Sequence, residues 1–162
     1  MLSREALKLT VVGVVWAAMP QQMAACVCPM RPPVAKAAEA ADVVARGTVI
    51  DMIDTSNTPA CRAAAEGVPA PPDEFTAHCG LAVTIRIDAL WKGPRKLNVT
   101  VVTGHGGGDC GADFAKGGRY IVFARKLKAG ALYTDRCTYT GEAAGLTEAI
   151  MSLGVPLWEP SA

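Results

Sequence analysis

Apolar residues alternate with small or polar ones along residues 81–89, which is the clearest pattern in the chain. The apolar positions are two residues apart: Leu81, Val83, Ile85, Ile87 and Ala89. This alternation predicts a β-strand with one buried face and one face in water. Four further segments rich in apolar and β-branched residues also predict strands: residues 42–50, 97–103, 119–125 and 131–136.

Helical and loop patterns surround these strands. Residues 35–41 are rich in alanine and predict one or two helical turns. Residues 142–153 predict a closing helix, which Gly154 and Pro156 would end. Residues 55–73 predict a loop, because small residues are mixed there with four prolines: Pro59, Pro69, Pro71 and Pro72.

The order of these elements predicts a mainly β fold. Five short strands followed by one helix are typical of a five-stranded barrel of the oligonucleotide/oligosaccharide-binding (OB) shape with a C-terminal helix. A two-sheet sandwich is the nearest alternative, but five strands are few for it. Inside the barrel we expect a largely aliphatic core: Val83, Ile85, Ile87, Val101, Ile121 and Phe123.

The first 25 residues have the pattern of an export signal. Arg4 and Lys8 lead into an apolar run of eleven residues, and two alanines precede Cys26. The run is too short for a membrane-spanning helix, which needs about twenty apolar residues. We therefore predict a signal peptide over residues 1–25 and a single secreted domain, extracellular or periplasmic, over residues 26–162.

Six cysteines follow the predicted cut: Cys26, Cys28, Cys61, Cys79, Cys110 and Cys137. An even number in an oxidising compartment predicts three disulfides, although the sequence alone does not choose among the possible pairings. A zinc site is the competing use. Zinc ligands usually come in pairs with roughly two to four residues between them, whereas Cys26 and Cys28 are separated by one. Disulfides are therefore favoured.

Charge and composition narrow the function. The chain has 16 basic and 15 acidic residues and a formal net charge of +1. A nucleic-acid-binding domain would carry a basic face, so no nucleic-acid partner is expected. The sequence also offers no convincing set of nucleophile, base and orienting residue, so neither an enzyme nor a cofactor is expected.

The predicted cut gives the mature chain an unusual beginning. Cleavage after Ala25 would start it with Cys26-Val27-Cys28-Pro29. A free α-amine, a neighbouring carbonyl and two cysteines would then meet at one chain end. Such groups are suited to an inhibitor that binds a metal ion.

An ordered set of motifs carries a family resemblance. The motifs follow one another along the chain: Cys26-Val27-Cys28-Pro29, residues 41–47, Trp91-Lys92-Gly93, Cys110-Gly111, residues 120–124 and residues 134–137. Together they resemble the N-terminal, netrin-like domain of the tissue inhibitors of metalloproteinases, over roughly residues 26–145. The alanine-rich chain looks like a distant, bacterial-type relative.

The resemblance implies disulfide partners and a mechanism. The implied pairs are Cys26–Cys110, Cys28–Cys137 and, from the cysteines that remain, Cys61–Cys79. The implied function is inhibition of zinc metalloendopeptidases by a wedge that consists of Cys26, Val27, Cys28 and Pro29. In such a wedge the amine and carbonyl oxygen of Cys26 bind the zinc of the target protease, and Val27 enters its specificity pocket. Val27 departs from the serine or threonine that is common in that family.

Two alternatives to an inhibitor stay open. A netrin-like domain can be an interaction module without inhibitory activity, because a fold does not fix a function. The segment Met23-Ala24-Ala25-Cys26 also resembles a loose lipobox, which would make the protein a membrane-anchored lipoprotein. No membrane association is expected unless Cys26 is lipidated. An acylated Cys26 would leave Cys110 without its implied partner.

Overall fold

The computed structural model describes residues 26–67 and 72–160. The predicted signal peptide lies outside the described residues. Within them the chain forms helices α1 Val34–Ala40, α2 Pro59–Glu66, α3 Pro72–Cys79 and α4 Thr147–Ser152. The strands are β1 Val43–Asp54, β2 Leu81–Lys92, β3 Asn98–Thr103, β4 Arg119–Lys126, β5 Leu132–Tyr133 and β6 Gly141–Glu142. No helix among the described residues is long and apolar enough to cross a membrane.

Five of the strands close into a barrel. They are hydrogen-bonded in the order β1-β2-β3-β5-β4, and β4 pairs again with β1. The barrel is mixed, because β3 and β5 are parallel and the other neighbours are antiparallel. The short β6 pairs with Tyr120 and Ile121 of β4, ahead of the β4 residues that pair with β5. The prediction of a mainly β, five-stranded barrel with a C-terminal helix is confirmed.

The longest pair of strands bends around the barrel. The register of β1 against β2 shifts at three places, which increases the local twist and lets two twelve-residue strands curve. Gly47 lies inside β1, where a Cβ atom would collide with the carbonyl group of Arg86. Glycine is needed there because the two backbones approach so closely.

The core has an inner and an outer part. Alternate residues of β4, namely Tyr120, Val122 and Ala124, point into the barrel with the apolar face of β2. The residues between them, Ile121 and Phe123, are also buried but pack outside the barrel under α1 and α4. The prediction that Ile121 and Phe123 belong to the barrel interior is wrong, because helices cover the second face of β4.

The predicted loop over residues 55–73 is also wrong. It contains α2 and the beginning of α3; residues 68–71 lie outside the described part of the chain. Pro59 and Pro72 are each the first residue of a helix, where a missing backbone N–H costs nothing. Thr58 caps α2, since its hydroxyl accepts a hydrogen bond from the backbone N–H of Cys61 at 3.1 Å.

The C-terminal region is more divided than predicted. In place of one helix over residues 142–153, β6 is followed by a 3₁₀ turn, Ala143–Leu146, and then by the six-residue α4. After α4 the chain returns to β2. The indole N–H of Trp91 donates to the carbonyl of Gly154 at 2.8 Å, and Trp158 forms a β-bridge with Leu90.

The inner core can be tested with two isoleucines. Ile85 is 1 % exposed inside the barrel, whereas Ile53 is 56 % exposed near the end of β1. Ile85→Ala should lower the free energy of unfolding by about 3 kcal/mol, since it leaves a cavity. The matched Ile53→Ala should lower the free energy of unfolding by less than about 0.5 kcal/mol. Equal urea midpoints for the two variants would contradict the assignment of the inner face.

Candidate functional site

The first described residues are attached to one end of the barrel. Because β3 and β5 are parallel, the loops that follow them leave the barrel at the same end. These are the β3–β4 loop, residues 104–118, and the β5–β6 loop, residues 134–140. Disulfides join Cys26 to Cys110 in the first loop and Cys28 to Cys137 in the second. They are the same pairs that the family resemblance implies.

Non-covalent contacts hold the same segment, residues 26–33. The phenol of Tyr139 donates a hydrogen bond to the carbonyl of Pro32 at 2.9 Å. The Arg31 guanidinium donates to the carbonyl of Arg136 at 2.7 Å and lies 5.6 Å from the centre of the Tyr139 ring. The segment is therefore attached to the β5–β6 loop even apart from its sulfur atoms.

Apolar side chains next to the attached cysteines face solvent. Val27, between Cys26 and Cys28, is 86 % exposed, and Met30 is 96 % exposed. A side chain between two disulfide-bonded residues has little freedom to fold back against the barrel. The segment thus presents a fixed apolar edge, Val27 and Met30, to solvent.

Asp109 organises the β3–β4 loop around Cys110. Its carboxylate accepts backbone hydrogen bonds from His105 at 2.7 Å and from Gly106 and Gly111 at 2.9 Å each. Burial alone would raise the pKa of Asp109, but the N–H groups of Gly111, His105 and Gly106 outweigh it and lower the pKa. These three hydrogen bonds make Asp109 the residue that shapes this turn.

Cys110 itself has an uncommon backbone conformation. Its φ of 58° is the only positive value at a non-glycine position among the described residues. Left-handed backbone costs a residue with a Cβ atom roughly 1–2 kcal/mol. The Asp109 hydrogen bonds on either side hold the loop in this shape. The preceding glycines 106 and 107 also have positive φ, which explains why this segment is rich in glycine.

Arg136 connects the two cysteine-bearing loops. Its backbone N–H donates to the carbonyl of Cys110 at 3.0 Å, and its Nε donates to the carbonyl of Gly111 at 2.9 Å. The guanidinium also pairs with Asp113 at 3.0 Å. Arg136 lies inside the motif of residues 134–137, but an arginine beside a cysteine has no distinctive spacing that would predict this role. Its position next to Cys137 was the only available signal.

Short polar side chains fix the β5–β6 loop. One carboxylate oxygen of Asp135 accepts from the backbone N–H groups of Cys137 at 2.9 Å and Thr138 at 3.1 Å. The buried hydroxyls of Thr134 and Thr140 are 2.6 Å apart, and Thr140 accepts from the N–H of Phe123. This turn ends β5 after two residues, so the predicted strand over residues 131–136 is wrong beyond Tyr133.

A histidine, a serine and an aspartate meet at the end of β1. The Nε2 atom of His105 lies 3.1 Å from the Ser56 hydroxyl and 3.2 Å from a carboxylate oxygen of Asp54. Hydrogen bonds from the side chain and backbone of Ser56, and then from His105, lower the pKa of Asp54 to about 2. In a catalytic triad serine and aspartate contact different ring nitrogens. Here both contact one, so the group ties the β3–β4 loop to β1.

The third disulfide belongs to the insertion between β1 and β2. Cys61 of α2 is bonded to Cys79 of α3. The carboxylate of Asp73 pairs with the Arg125 guanidinium, and Glu74 accepts from the backbone N–H of Lys128 at 3.0 Å. The two helices are therefore docked against the end of β4.

Comparison with protein-family models and with curated proteins finds no match for this chain. The resemblance to the metalloproteinase inhibitors consequently stays an interpretation of the motif order.

The Asp109 carboxylate can be tested by one isosteric change. Asp109→Asn would turn an amide N–H₂ group toward at least one backbone donor. It should lower the free energy of unfolding at pH 7 by about 1–2 kcal/mol. Asp51→Asn is the control, since Asp51 is exposed and lies 3.8 Å from Lys116.

Acid should remove the difference in the free energy of unfolding between Asp109→Asn and the parent. Folding lowers the pKa of Asp109, so its stabilisation is complete above the ordinary aspartate pKa of about 4 and is lost as pH falls through the folded pKa. Urea unfolding measured from pH 7 downward checks this course. A difference between the variant and the parent that grew with acidity would contradict the hydrogen-bond arrangement.

Proposed function

We propose that the mature chain begins at Cys26, is exported, and inhibits zinc metalloendopeptidases through its first residues. The observation that carries the proposal is the attachment of these residues: Cys26 and Cys28 are each bonded to a different loop, and Val27 between them is 86 % exposed. The three disulfides also suit an oxidising compartment outside the cytosol.

The chemistry of inhibition follows from the free chain end. A catalytic zinc has three protein ligands and holds a water molecule at its open position. The α-amine of Cys26 and the adjacent carbonyl oxygen of the same residue displace that water as a chelate. The water is the nucleophile in peptide hydrolysis, so its loss stops the reaction.

Rigidity supports tight binding. An inhibitor that is ordered before binding loses little conformational entropy on association. The two disulfides, the Tyr139 hydrogen bond to Pro32 and the Arg31 hydrogen bond to Arg136 provide that order here. Val27 is then presented to the apolar pocket beside the metal, and Pro29 limits the path of the chain behind it.

The lipoprotein alternative competes for the same sulfur atom. A lipid on Cys26 would form a thioether and leave Cys110 as a free thiol, whereas Cys26 and Cys110 are bonded to each other. This bond supports the unlipidated form. The non-inhibitory interaction module uses the same fixed edge without a metal, and the experiment below separates it from the inhibitor.

One added residue tests the chelate. An alanine inserted before Cys26 of the mature protein converts its amine into a peptide nitrogen and moves the new amine away from the zinc. Inhibition across a panel of zinc endopeptidases should weaken by at least about 100-fold, roughly 2.7 kcal/mol, with an unchanged melting temperature. Inhibition by the parent should strengthen as pH rises toward about 8, where an α-amine loses its proton.

A matched extension controls for the added residue. One alanine placed after Ala162 changes the length equally and should leave inhibition constants unchanged. If the extension before Cys26 inhibits as well as the parent, the amine is not a zinc ligand. If the parent inhibits no member of the panel, the interaction module takes the place of the inhibitor.

The contribution of Val27 can be measured against a second exposed valine. Val27→Gly should weaken inhibition by about 1.5–3 kcal/mol, since an apolar side chain no longer enters its pocket. Val155 is similarly exposed, at 88 % against 86 %, but lies in the C-terminal tail. Val155→Gly should leave the inhibition constant unchanged. If the two substitutions changed the inhibition constant equally, Val27 would not be part of the surface that contacts the protease.

A further inference from the structure

We propose that the four sulfur atoms of Cys26, Cys28, Cys110 and Cys137 form a zinc site when both of their disulfides are reduced. In the oxidised protein these atoms form two disulfide bonds. In the reduced protein they become four thiolate ligands. The inference does not rest on the proposed inhibition, because it concerns a metal held by this chain itself.

The geometry of the cluster carries the proposal. The four Sγ atoms all lie within 4.8 Å of one another. The Cys26 Sγ is 3.9 Å from the Sγ of Cys28 and 3.9 Å from that of Cys137, although neither is its disulfide partner. A tetrahedral zinc with bonds of about 2.3 Å separates its sulfur ligands by about 3.8 Å. These two spacings already match the edges of such a tetrahedron.

Reduction leaves the ligand-bearing segments in place. Arg31 and Tyr139 still attach residues 26–33 to the β5–β6 loop. Arg136 still joins that loop to the carbonyls of Cys110 and Gly111, and Asp109 still shapes the β3–β4 loop. The sulfur atoms need only move apart within each former disulfide, by rotation about the single Cα–Cβ bond of each cysteine.

The redox step balances with an ordinary dithiol reductant. Each disulfide takes up two electrons and two protons, and each reductant molecule is oxidised to its own disulfide. Four thiols result. Zinc then displaces protons from the thiols and binds the thiolates, which makes the centre anionic. The guanidinium of Arg31, which donates to the carbonyl of Arg136 beside Cys137, brings positive charge to the neighbourhood of this centre.

The four ligands are spaced in the sequence in a way that does not indicate a zinc site. Cys26 and Cys28 are separated by one residue, and the other two ligands are contributed by two different loops. This is not the paired spacing of common structural zinc sites, so the sequence favoured disulfides alone. The fold nevertheless brings all four atoms together, and the oxidation state selects between the two uses.

Metal titration of the reduced protein tests the site. The variant Cys61→Ala/Cys79→Ala retains the four cluster cysteines, and a phosphine keeps them reduced. It should bind one zinc ion per chain, and cobalt(II) used as a probe should show thiolate charge-transfer bands of a tetrahedral site. Cys137→Ser in this background should weaken zinc binding at least about tenfold. The oxidised form should bind no zinc.

Two controls keep the test decisive. A variant that retains only Cys61 and Cys79 should show no comparable binding, and the reduced parent with all six cysteines should show one zinc ion by native mass spectrometry. Near-UV circular dichroism reports whether the zinc-bound chain is folded. The proposal is overturned if the reduced chain takes up no stoichiometric zinc, if Cys137→Ser binds equally well, or if zinc binds only an unfolded chain.

Discussion

The parallel pairing of β3 with β5 is the constraint on which the rest of the site depends. It is short: Val102 lies opposite Tyr133, and the backbone N–H of Thr134 donates to the carbonyl of Val102 at 3.0 Å. Two parallel neighbouring strands finish at the same end of the barrel, so the loops that follow them leave the barrel side by side. Without this pairing Cys110 and Cys137 could not both reach a segment in which Cys26 and Cys28 are two residues apart. The pairing of β1 with β4 closes the barrel and so fixes the position of that end.

Much of the barrel could be predicted from local patterns. Residues 81–89 alternate because one face of β2 is buried and the other is only partly covered, and a period of two is the strongest strand signal. The pattern failed where tertiary structure covers both faces: Ile121 and Phe123 look like barrel residues, yet helices bury them outside. The prolines of residues 55–73 wrongly predicted a loop, because Pro59 and Pro72 begin helices instead of preventing them.

The candidate site was less accessible to sequence reasoning. An even number of cysteines indicated disulfides, and the motif order suggested partners that agree with the structure. The supporting network was not predictable, since it joins residues far apart in sequence. Arg31 contacts Arg136, and Arg136 contacts Cys110 and Gly111. Backbone carbonyls accept most of these bonds, and any residue can supply a carbonyl. Such contacts leave no pattern in the chain.

Peptide mapping of the exported, non-reduced protein tests the central claim most directly. The full 162-residue chain would be expressed, recovered after export and digested without reduction. Electron-transfer fragmentation between Cys26 and Cys28 distinguishes which loop peptide each cysteine carries. We expect a free α-amine on Cys26, the Cys110 peptide attached to Cys26 and the Cys137 peptide attached to Cys28. A different mature N-terminus, a lipid on Cys26, crossed pairs or a free thiol at Cys110 would contradict it.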